Sequence, residues 1–334
     1  MSNSPRDATD RLGREFLYLS QADVRAINLP MAEIIAALED AFREKADGRV
    51  EMPPKPGVHT QPDAFLHAMP AYIAGQKAVG MKWVGGYPAN KSRGLPYVSG
   101  LLILNDVETG LPLAVMDCVW ITAKRTGAAT AVAAKYLARP ESSAVGILGC
   151  GVQGRSNLEA LKTVFNIRRV FAYDSDRGAR ELFAQEASAE YGIEISGVSY
   201  PKDAVVNSHI VVTAGPILRT PHATIQRGWL AEGAFASLVD FDSYWHPEAL
   251  AEVEKFCTDD RAQLEHYRSM GYFQQIPPVH ADLAELVSGR KAGRESATER
   301  TIACNLGLAL DDIATAKLIY ERALERGIGT WMPL

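Results

Sequence analysis

The chain has 334 residues, of which 47% are hydrophobic and 22% are charged, a composition typical of a soluble globular protein with room for two domains. Its net charge of −5 argues against a general nucleic-acid binder, and no apolar run reaches the ~20 residues that span a membrane. The polar N-terminus predicts no secretion signal, so we expect a cytoplasmic protein. The cysteines are scattered, which predicts free thiols with neither disulfides nor a metal site: Cys118, Cys150, Cys257 and Cys304.

The first 125 residues predict one domain. Residues 1–16 are polar and are predicted to be a disordered tail, so this domain begins at residue 17. An amphipathic helix is predicted over residues 31–48, and three prolines keep the next segment extended. Apolar segments bounded by turns predict strands, and a run of small residues then predicts a helix. The strand segments are 64–73, 77–87 and 99–117, and the helix is 121–138.

Single basic residues interrupt the apolar stretches of this domain. Lys82 lies between Met81 and Trp83, and because a strand alternates its faces, Lys82 opposes these neighbours. Arg125 lies among small residues, and Lys55 follows two prolines. If two or three of these cations converge, they would bind a carboxylate, which needs charge-assisted donors. For each cation taken alone, an exposed surface side chain is the alternative.

Residues 147–154, ILGCGVQG, carry the spacing G-x-G-x-x-G at Gly149, Gly151 and Gly154. The apolar segment before these glycines predicts a buried strand, and the segment after them has the apolar spacing of a helix. A strand, glycine turn and helix in this order present free N–H groups and a partial positive charge to a pyrophosphate. The sequence therefore predicts a dinucleotide-binding turn rather than a turn without a ligand.

A second predicted strand ends at Asp174, which is 20 residues past Gly154. A carboxylate at this place accepts hydrogen bonds from both adenosine-ribose hydroxyls and repels a 2′-phosphate. We therefore predict that the cofactor is NAD rather than NADP. Arg177 lies three residues later and is the alternative partner for a phosphate, although the start of a helix at the surface is its expected place.

Strands and helices continue to alternate up to a sixth predicted strand at residues 255–260, which predicts an α/β Rossmann-type domain, a doubly wound parallel sheet, over residues 126–305. Ligands of such sheets bind at the carboxyl ends of the strands. Thr213 and Asp242, at the ends of the predicted fourth and fifth strands, are therefore candidate site residues. Asp240 would share a strand face with Asp242, and helix capping is the alternative role for Asp242. The C-terminal residues are strongly helical and are predicted to join the first domain.

Seven stretches between residues 50 and 330 occur in the same order in a known protein family. They are EMPPK, HAMPAYI, GMKWVGGYPANKSRGLP, ITAKRTGAATAVAAKYLA, GILGCGVQG, HADLAELVSGRKAGR and NLGLALDDIATA. In these stretches the chain resembles the ornithine cyclodeaminase/mu-crystallin family of NAD(P)-dependent oxidoreductases. KRTGAAT and LALDD are far more specific than the glycine motif.

The resemblance implies a Rossmann-type domain and an α+β domain, residues 17–125 with 306–334, which binds substrate and forms a homodimer. It implies that Lys82 and Arg125 bind the carboxylate of a small amino or imino acid, with Lys55 completing the set, and His67 is a further candidate for substrate binding. Asp242 is then the catalytic acid/base, and Lys82 also takes part in catalysis. The implied cofactor contacts are Gly149, Gly151, Val152, Gln153, Gly154, Asp174, Thr213, Arg125, Thr126, Val239, His246 and Asn305.

The sequence departs from the cyclodeaminase pattern at three places. His67 stands where ornithine cyclodeaminase has a glutamate for the distal amine, residues 243–246 replace a Pro-Gly-Lys run, and Tyr97 replaces a small hydroxyl residue. Cyclisation needs the second amine to be held near the imine, and a simple dehydrogenase does not. We therefore expect an NAD-dependent amino-acid dehydrogenase or cyclic-imine (ketimine) reductase. A diamino-acid cyclodeaminase and a small-molecule binding protein like mu-crystallin are the alternatives.

Overall fold

A computed structural model describes residues 10–61 and 63–334 of the chain. These residues form two compact units, the first ending at Arg125 and including Leu308–Leu334, and the second comprising Thr126–Gly307. The second unit ends at Gly307, two residues later than the predicted boundary at residue 305. Within the described residues, no helix is long and apolar enough to cross a membrane.

The first unit is built on a mixed sheet with the strand order β16-β1-β7-β6-β5-β4-β2, and β3 pairs with β4. Only the β1–β7 pair is parallel within this described sheet. The strands are β1 (Glu15–Leu19), β2 (Val50–Glu51), β3 (Gly57–Val58), β4 (Phe65–Ile73), β5 (Ala78–Gly86), β6 (Val98–Asn105), β7 (Pro112–Asp117) and β16 (Thr330–Pro333).

Helices cover one face of this sheet. The helix α10 packs against α2 and against strands β4 and β5. Alternation along β5 places Lys82, which is 0% exposed, on the face toward α10, and leaves Trp83 on the opposite face, 40% exposed. The helices of this unit are α1 (Gln21–Ile27), α2 (Met31–Ala46) and α10 (Ala309–Arg326), and α3 (Val119–Leu137) begins in it.

The N-terminal end of this sheet corrects one prediction. Residues 1–9 of the predicted disordered tail lie outside the described residues, but the tail was also predicted to include residues 10–16. Glu15 and Phe16 instead belong to β1 and pair with Pro333 and Met332 of β16. Their partners lie at the other end of the chain, so the local polar composition gave no sign of the pairing.

The second unit is a parallel sheet with the strand order β10-β9-β8-β11-β12-β15-β13-β14. The chain moves outward from β8 in one direction and from β11 in the other, which makes the sheet doubly wound. The strands are β8 (Ala144–Leu148), β9 (Arg169–Tyr173), β10 (Glu194–Gly197), β11 (Ile210–Thr213), β12 (Phe235–Leu238), β13 (Lys255–Thr258), β14 (Val279–Asp282) and β15 (Thr301–Cys304). Six of these strands, β8 to β13, are predicted by the sequence, whereas β14 and β15 are not.

Helices connect the strands of the second sheet. Every residue of β11, β12 and β15 is buried, as expected for inner strands of a parallel sheet, so their sequences are continuous apolar or small-residue runs. The helices are α4 (Val152–Val164), α5 (Arg177–Tyr191), α6 (Pro201–Val206), α7 (Pro247–Leu250), α8 (Arg261–Ser269) and α9 (Leu283–Val287). The fold class predicted from the sequence, a Rossmann-type sheet domain with an α+β partner, is confirmed.

Candidate substrate and cofactor sites

The glycine turn of the second unit lies between β8 and α4. Gly149 has a φ of 106°, and a Cβ atom there would lie 2.5 Å from the carbonyl oxygen of Ala214. A Cβ atom at Gly154 would lie 2.2 Å from the carbonyl oxygen of Gly149. The first glycine is therefore required by its left-handed backbone and by the loop after β11, and the last by the close approach of α4 to the turn.

Gly151 has a different role from the other two glycines. It is the N-cap of α4, it has no side-chain cap, and no atom lies within 4 Å of the place of its Cβ. Val152, the first helical residue, is 63% exposed. The open space and the uncapped N–H groups of a 13-residue helix fit a pyrophosphate, so this turn suits a dinucleotide.

Asp174 follows β9 and is fixed beside the glycine turn. Its Oδ2 accepts the backbone N–H of Cys150 at 2.8 Å, and its Oδ1 accepts that of Asp176 at 2.9 Å. Arg177 is 80% exposed and pairs with Glu181 at 2.6 Å. The carboxylate is thus held near the place predicted for the adenosine ribose, and the nearby arginine is already engaged by an acidic partner.

Asp240 is fully buried between the loops that follow β11 and β12. Its Oδ1 accepts the hydroxyl of Thr213 at 2.6 Å, and its Oδ2 accepts the N–H of Gly215 at 2.9 Å. Burial raises the pKa of Asp240 to about 7, against the opposing effect of these hydrogen bonds. The Thr213 hydroxyl also accepts the indole N–H of Trp245 at 3.3 Å. These contacts join the two loops, and they engage the Thr213 hydroxyl that was predicted to contact the cofactor.

Asp242 lies in the turn beyond β12 rather than at the end of the strand. The strand ends at Leu238, and Phe241 has a φ of 62°, so the predicted sharing of a strand face by Asp240 and Asp242 is wrong. The left-handed Phe241 interrupts the alternation on which that prediction rested. Its ring packs against Tyr267 with a centroid distance of 4.7 Å, which buries the turn.

The environment of Asp242 suits proton exchange better than that of Asp240. Asp242 is 8% exposed, and its buried Oδ1 has no hydrogen-bond partner among the described residues. Burial raises its pKa above the usual range for an aspartate. Asp240, in contrast, uses both oxygens to hold the fold. The structure therefore leaves Asp242 the better candidate for the catalytic acid/base.

The other predicted cofactor residues are spread over the second unit. Asn305 is buried and donates to the Ser237 hydroxyl at 2.9 Å and to the Thr130 hydroxyl at 3.3 Å. The buried Oε1 of Gln153 has no hydrogen-bond partner among the described residues. Of the rest, Thr126 begins this unit, Val239 follows β12, and His246 is the N-cap of α7. Arg125 belongs to the first unit. Their cofactor contacts stay predictions.

The first unit contains a buried cluster of two cations and two carboxylates. The Nζ of Lys82 lies 2.7 Å from Oδ2 of Asp312, and the Nε of Arg125 lies 3.0 Å from Oδ1 of the same residue. Lys82 also donates to the Thr122 hydroxyl at 3.3 Å. Asp312 is 0% exposed and Arg125 is 6% exposed. Strand β5, helix α3 and helix α10 therefore bring Lys82 and Arg125 together on one carboxylate.

Asp311 is the fourth member of the cluster. Its Oδ2 accepts the N–H of Leu308 at 3.1 Å and lies 3.8 Å from the guanidinium of Arg125. Burial raises the pKa of Asp311 to about 7, although Arg125 opposes the shift. Neither Asp311 nor Asp312 was assigned a role from the sequence. The signal was a pair of acidic residues in an otherwise apolar segment, but acidic residues in the first turn of a helix are common caps.

His67 and Lys55 lie in the same unit. In the β4–β5 register Met69 is opposite Lys82, and His67 is two residues along β4, so His67 is on the same sheet face as Lys82. The His67 ring stacks on Phe65 with a centroid distance of 4.3 Å. Lys55 is 8% exposed in the segment between β2 and β3. Their substrate contacts stay predictions.

The chain is similar to known proteins over nearly its whole length. The model of the ornithine cyclodeaminase/mu-crystallin family matches residues 15–327. An alanine dehydrogenase from Archaeoglobus fulgidus is 39% identical over 324 residues, which are 95% of this chain and 98% of that protein. The chain belongs to the ornithine cyclodeaminase/mu-crystallin family, which confirms the resemblance seen in the sequence.

Two solved structures share the fold. The Delta(1)-pyrroline-2-carboxylate reductase of Thermococcus litoralis, in complex with NADH and L-proline, has a TM-score of 0.86 and 37% identity, with 94% of this chain and 99% of that chain covered. An archaeal alanine dehydrogenase dimer with bound NAD has a TM-score of 0.85 and 37% identity, with 95% of this chain and 99% of that chain covered.

Proposed function

We propose that this protein is an NAD-dependent oxidoreductase that interconverts a small amino acid and its imine or keto acid. The observation that carries the proposal is the buried Lys82–Arg125 pair, because two desolvated cations at one place are suited to a substrate carboxylate. The glycine turn and Asp174 supply the features that a dinucleotide needs. The relatives named above are an alanine dehydrogenase and a cyclic-imine reductase, both from this reaction class.

Each group has one proposed task. Lys82 and Arg125 bind the carboxylate, and Lys55 adds a third cation. The uncapped N-terminus of α4 binds the pyrophosphate, and Asp174 accepts hydrogen bonds from the adenosine ribose. A bound nicotinamide would supply the hydride in the reductive direction and would accept it in the oxidative direction. Asp242 then gives a proton to the substrate nitrogen or removes one, since burial keeps its proton to higher pH.

The cofactor preference rests on charge. Asp174 would repel a 2′-phosphate, and Arg177 is already paired with Glu181. We therefore propose that NAD(H) binds more tightly than NADP(H).

The protein is also proposed to act as a cytoplasmic homodimer. Trp83 of β5 and Leu101 of β6 are directly opposite one another in the strand register and are 40% and 46% exposed. They lie on the sheet face opposite α10, and such adjacent apolar side chains favour an interface. An archaeal alanine dehydrogenase similar to this chain forms a dimer.

A panel of substrates tests the reaction class. NADH oxidation is measured with pyruvate plus ammonium, with other 2-keto acids plus amines, and with Δ1-pyrroline-2-carboxylate and its six-membered homologue. We expect turnover with one of these groups. If every compound of the panel is inert while NADH binds, the oxidoreductase proposal is wrong and a binding protein is favoured.

A second assay separates the reductase from a cyclodeaminase. L-ornithine and catalytic NAD are incubated with the protein, and proline and ammonia are measured. We expect little proline, because His67 stands where the glutamate for the distal amine would be. Clear release of ammonia with formation of proline would instead establish the cyclodeaminase activity.

A further inference from the structure

The cation pair that is proposed to bind the substrate depends on a carboxylate that does not itself contact the substrate. We propose that Asp312 is a positioning residue that keeps Lys82 protonated and holds Lys82 and Arg125 together for one substrate carboxylate. This inference rests on the proposed function of Lys82 and Arg125, and the experiment below tests the two separately.

The geometry gives Asp312 a separate contact to each cation. One carboxylate oxygen is 2.7 Å from the Lys82 ammonium, and the other is 3.0 Å from the Arg125 Nε. Arg125 uses its Nε for Asp312, and its Nη1 lies 3.8 Å from Asp311 Oδ2, beyond hydrogen-bond distance, so its terminal nitrogens remain as donors for a second carboxylate. Lys82 likewise has three N–H donors: it donates one to Thr122 and its Nζ lies 2.7 Å from Asp312, so a donor remains for the substrate.

Lys82 needs this partner because its surroundings favour the neutral amine. Burial lowers the pKa of Lys82, and repulsion from Arg125 lowers it further, whereas the charge of Asp312 raises it. On β4 and β6, the residues directly opposite Lys82 are the apolar Met69 and Leu102. The charge of Lys82 is therefore sustained mainly by α10.

Other titratable groups near Lys82 are weaker partners. Cys118, just before α3, has a pKa raised to about 11, because burial outweighs the effect of Lys82, so its thiol is neutral at physiological pH. His67 lies on the same sheet face, two residues from the position opposite Lys82. Asp311 is directed to Arg125 and to the Leu308 N–H. Asp312 is the carboxylate in contact with the Lys82 ammonium.

The test measures how tightly a non-reacting carboxylate binds between pH 6 and pH 10. The probe is oxamate if the enzyme reduces a keto acid, and pyrrole-2-carboxylate if it reduces a cyclic imine, each bound in the presence of saturating NADH. In the wild type, affinity should fall at high pH as Lys82 loses its proton. In Asp312→Asn this fall should begin about 1–3 pH units lower, the usual effect of removing an opposite charge at contact distance.

Three further variants make the result specific. Asp311→Asn removes the neighbouring carboxylate, which acts on Lys82 by charge without contacting it, so its pH midpoint should move less than that of Asp312→Asn. Lys82→Met should bind the probe weakly at every pH and lose this pH dependence. In the double variant Lys82→Met with Asp312→Asn, the pH dependence of probe binding should be the same as in Lys82→Met alone, since no lysine remains to titrate.

The outcomes distinguish the inference from the proposed function. If Lys82→Met binds the probe as the wild type does, the carboxylate-binding role of Lys82 is wrong. If Lys82→Met weakens binding but Asp312→Asn leaves the midpoint in place, the role of Asp312 is wrong and that of Lys82 stands. NADH titration and circular dichroism verify folding. Asp312→Ser, which leaves room for water, replaces Asp312→Asn if that variant does not fold and should shift the midpoint in the same direction.

Discussion

Replacing Asp242 with asparagine separates a catalytic carboxyl group from a structural one. The two side chains are nearly the same size, so Asp242→Asn removes the exchangeable proton and keeps an amide oxygen that can accept the backbone hydrogen bonds from Asp242 and Phe273. Asp242 is 8% exposed, and its buried Oδ1 has no hydrogen-bond partner among the described residues, so the asparagine breaks no contact of that atom. We expect kcat to fall by at least about 100-fold, the lower end for general acid–base catalysis, which is about 2.7 kcal/mol of transition-state stabilisation.

Although kcat should fall, the stability of Asp242→Asn should be equal to or greater than that of the wild type. The pKa of Asp242 is raised in the folded protein, so its contribution to stability is present below the unfolded pKa and is lost as the pH rises through the folded pKa. At neutral pH the buried charge therefore opposes folding. Asp242→Asn removes that charge, and its melting temperature should equal or exceed that of the wild type.

The pH dependence of kcat should have opposite signs for imine reduction and for amino-acid oxidation. Imine reduction needs protonated Asp242, so kcat should fall as the pH rises through its pKa. Amino-acid oxidation needs the carboxylate, so kcat should rise over the same range. Neither the fall nor the rise of kcat with pH should be seen in Asp242→Asn. They are measured from steady-state NADH oxidation and NAD reduction, with substrate and cofactor saturating.

Asp240→Asn is the matched control. Its two carboxylate oxygens accept hydrogen bonds from Thr213 and Gly215, and asparagine keeps only one acceptor oxygen, so one of these two donors loses its partner. The control should lose about 1–3 kcal/mol of stability, the usual cost of a buried unsatisfied group. The reasoning is refuted if Asp242→Asn keeps kcat within a few-fold of the wild type and melts at a lower temperature, since that is the behaviour of a carboxylate with a purely structural role; His246, not Asp242, is the N-cap of α7.

Three further predictions concern the two proposed binding sites. Asp174→Ser should weaken NADH binding and reduce the preference over NADPH in fluorescence titrations, and tighter NADPH binding by the wild type would contradict the charge argument. Lys82→Met and Arg125→Met should each raise KM for the substrate by about 30-fold or more, from a loss of about 2–5 kcal/mol, with NADH affinity nearly unchanged. An unchanged KM would remove that residue from the site. Gly149→Ala should lower the melting temperature, because its φ of 106° costs a non-glycine residue about 1–3 kcal/mol. Gly151→Ala has free space around the new methyl group, so it should keep its melting temperature and weaken only NADH binding. Equal melting temperatures for the two glycine variants would show that the turn is not strained.

Comparisons with known proteins and solved structures confirm the enzyme class that the family resemblance implied and the NAD cofactor that the glycine turn and Asp174 predicted. The roles of individual site residues are inferred from the geometry within each unit, and the variants above test them.

The sequence by itself determined the features that depend on neighbouring residues. The strand at 144–148, the glycine turn and the start of α4 follow from apolar runs and from the backbone freedom of glycine, which act over a few residues. The place of Asp174 after β9 follows from the spacing of one strand–helix–strand unit. The sequence also showed that Lys82 is a lone basic residue in an apolar strand and that its side chain points away from those of Met81 and Trp83, because a strand alternates its faces.

The tertiary structure decided which distant segments meet. β15 lies between β12 and β13 in the sheet, and β1 pairs with β16 from the opposite end of the chain. Asp312 contacts Arg125 across 187 residues of sequence, and nothing local to either residue encodes that contact. The turn at Phe241, which gives Asp240 and Asp242 different surroundings, depends on the packing of its ring against Tyr267. Local periodicity reports which face of an element is buried, whereas the partner on that face is chosen by the packing of the whole unit.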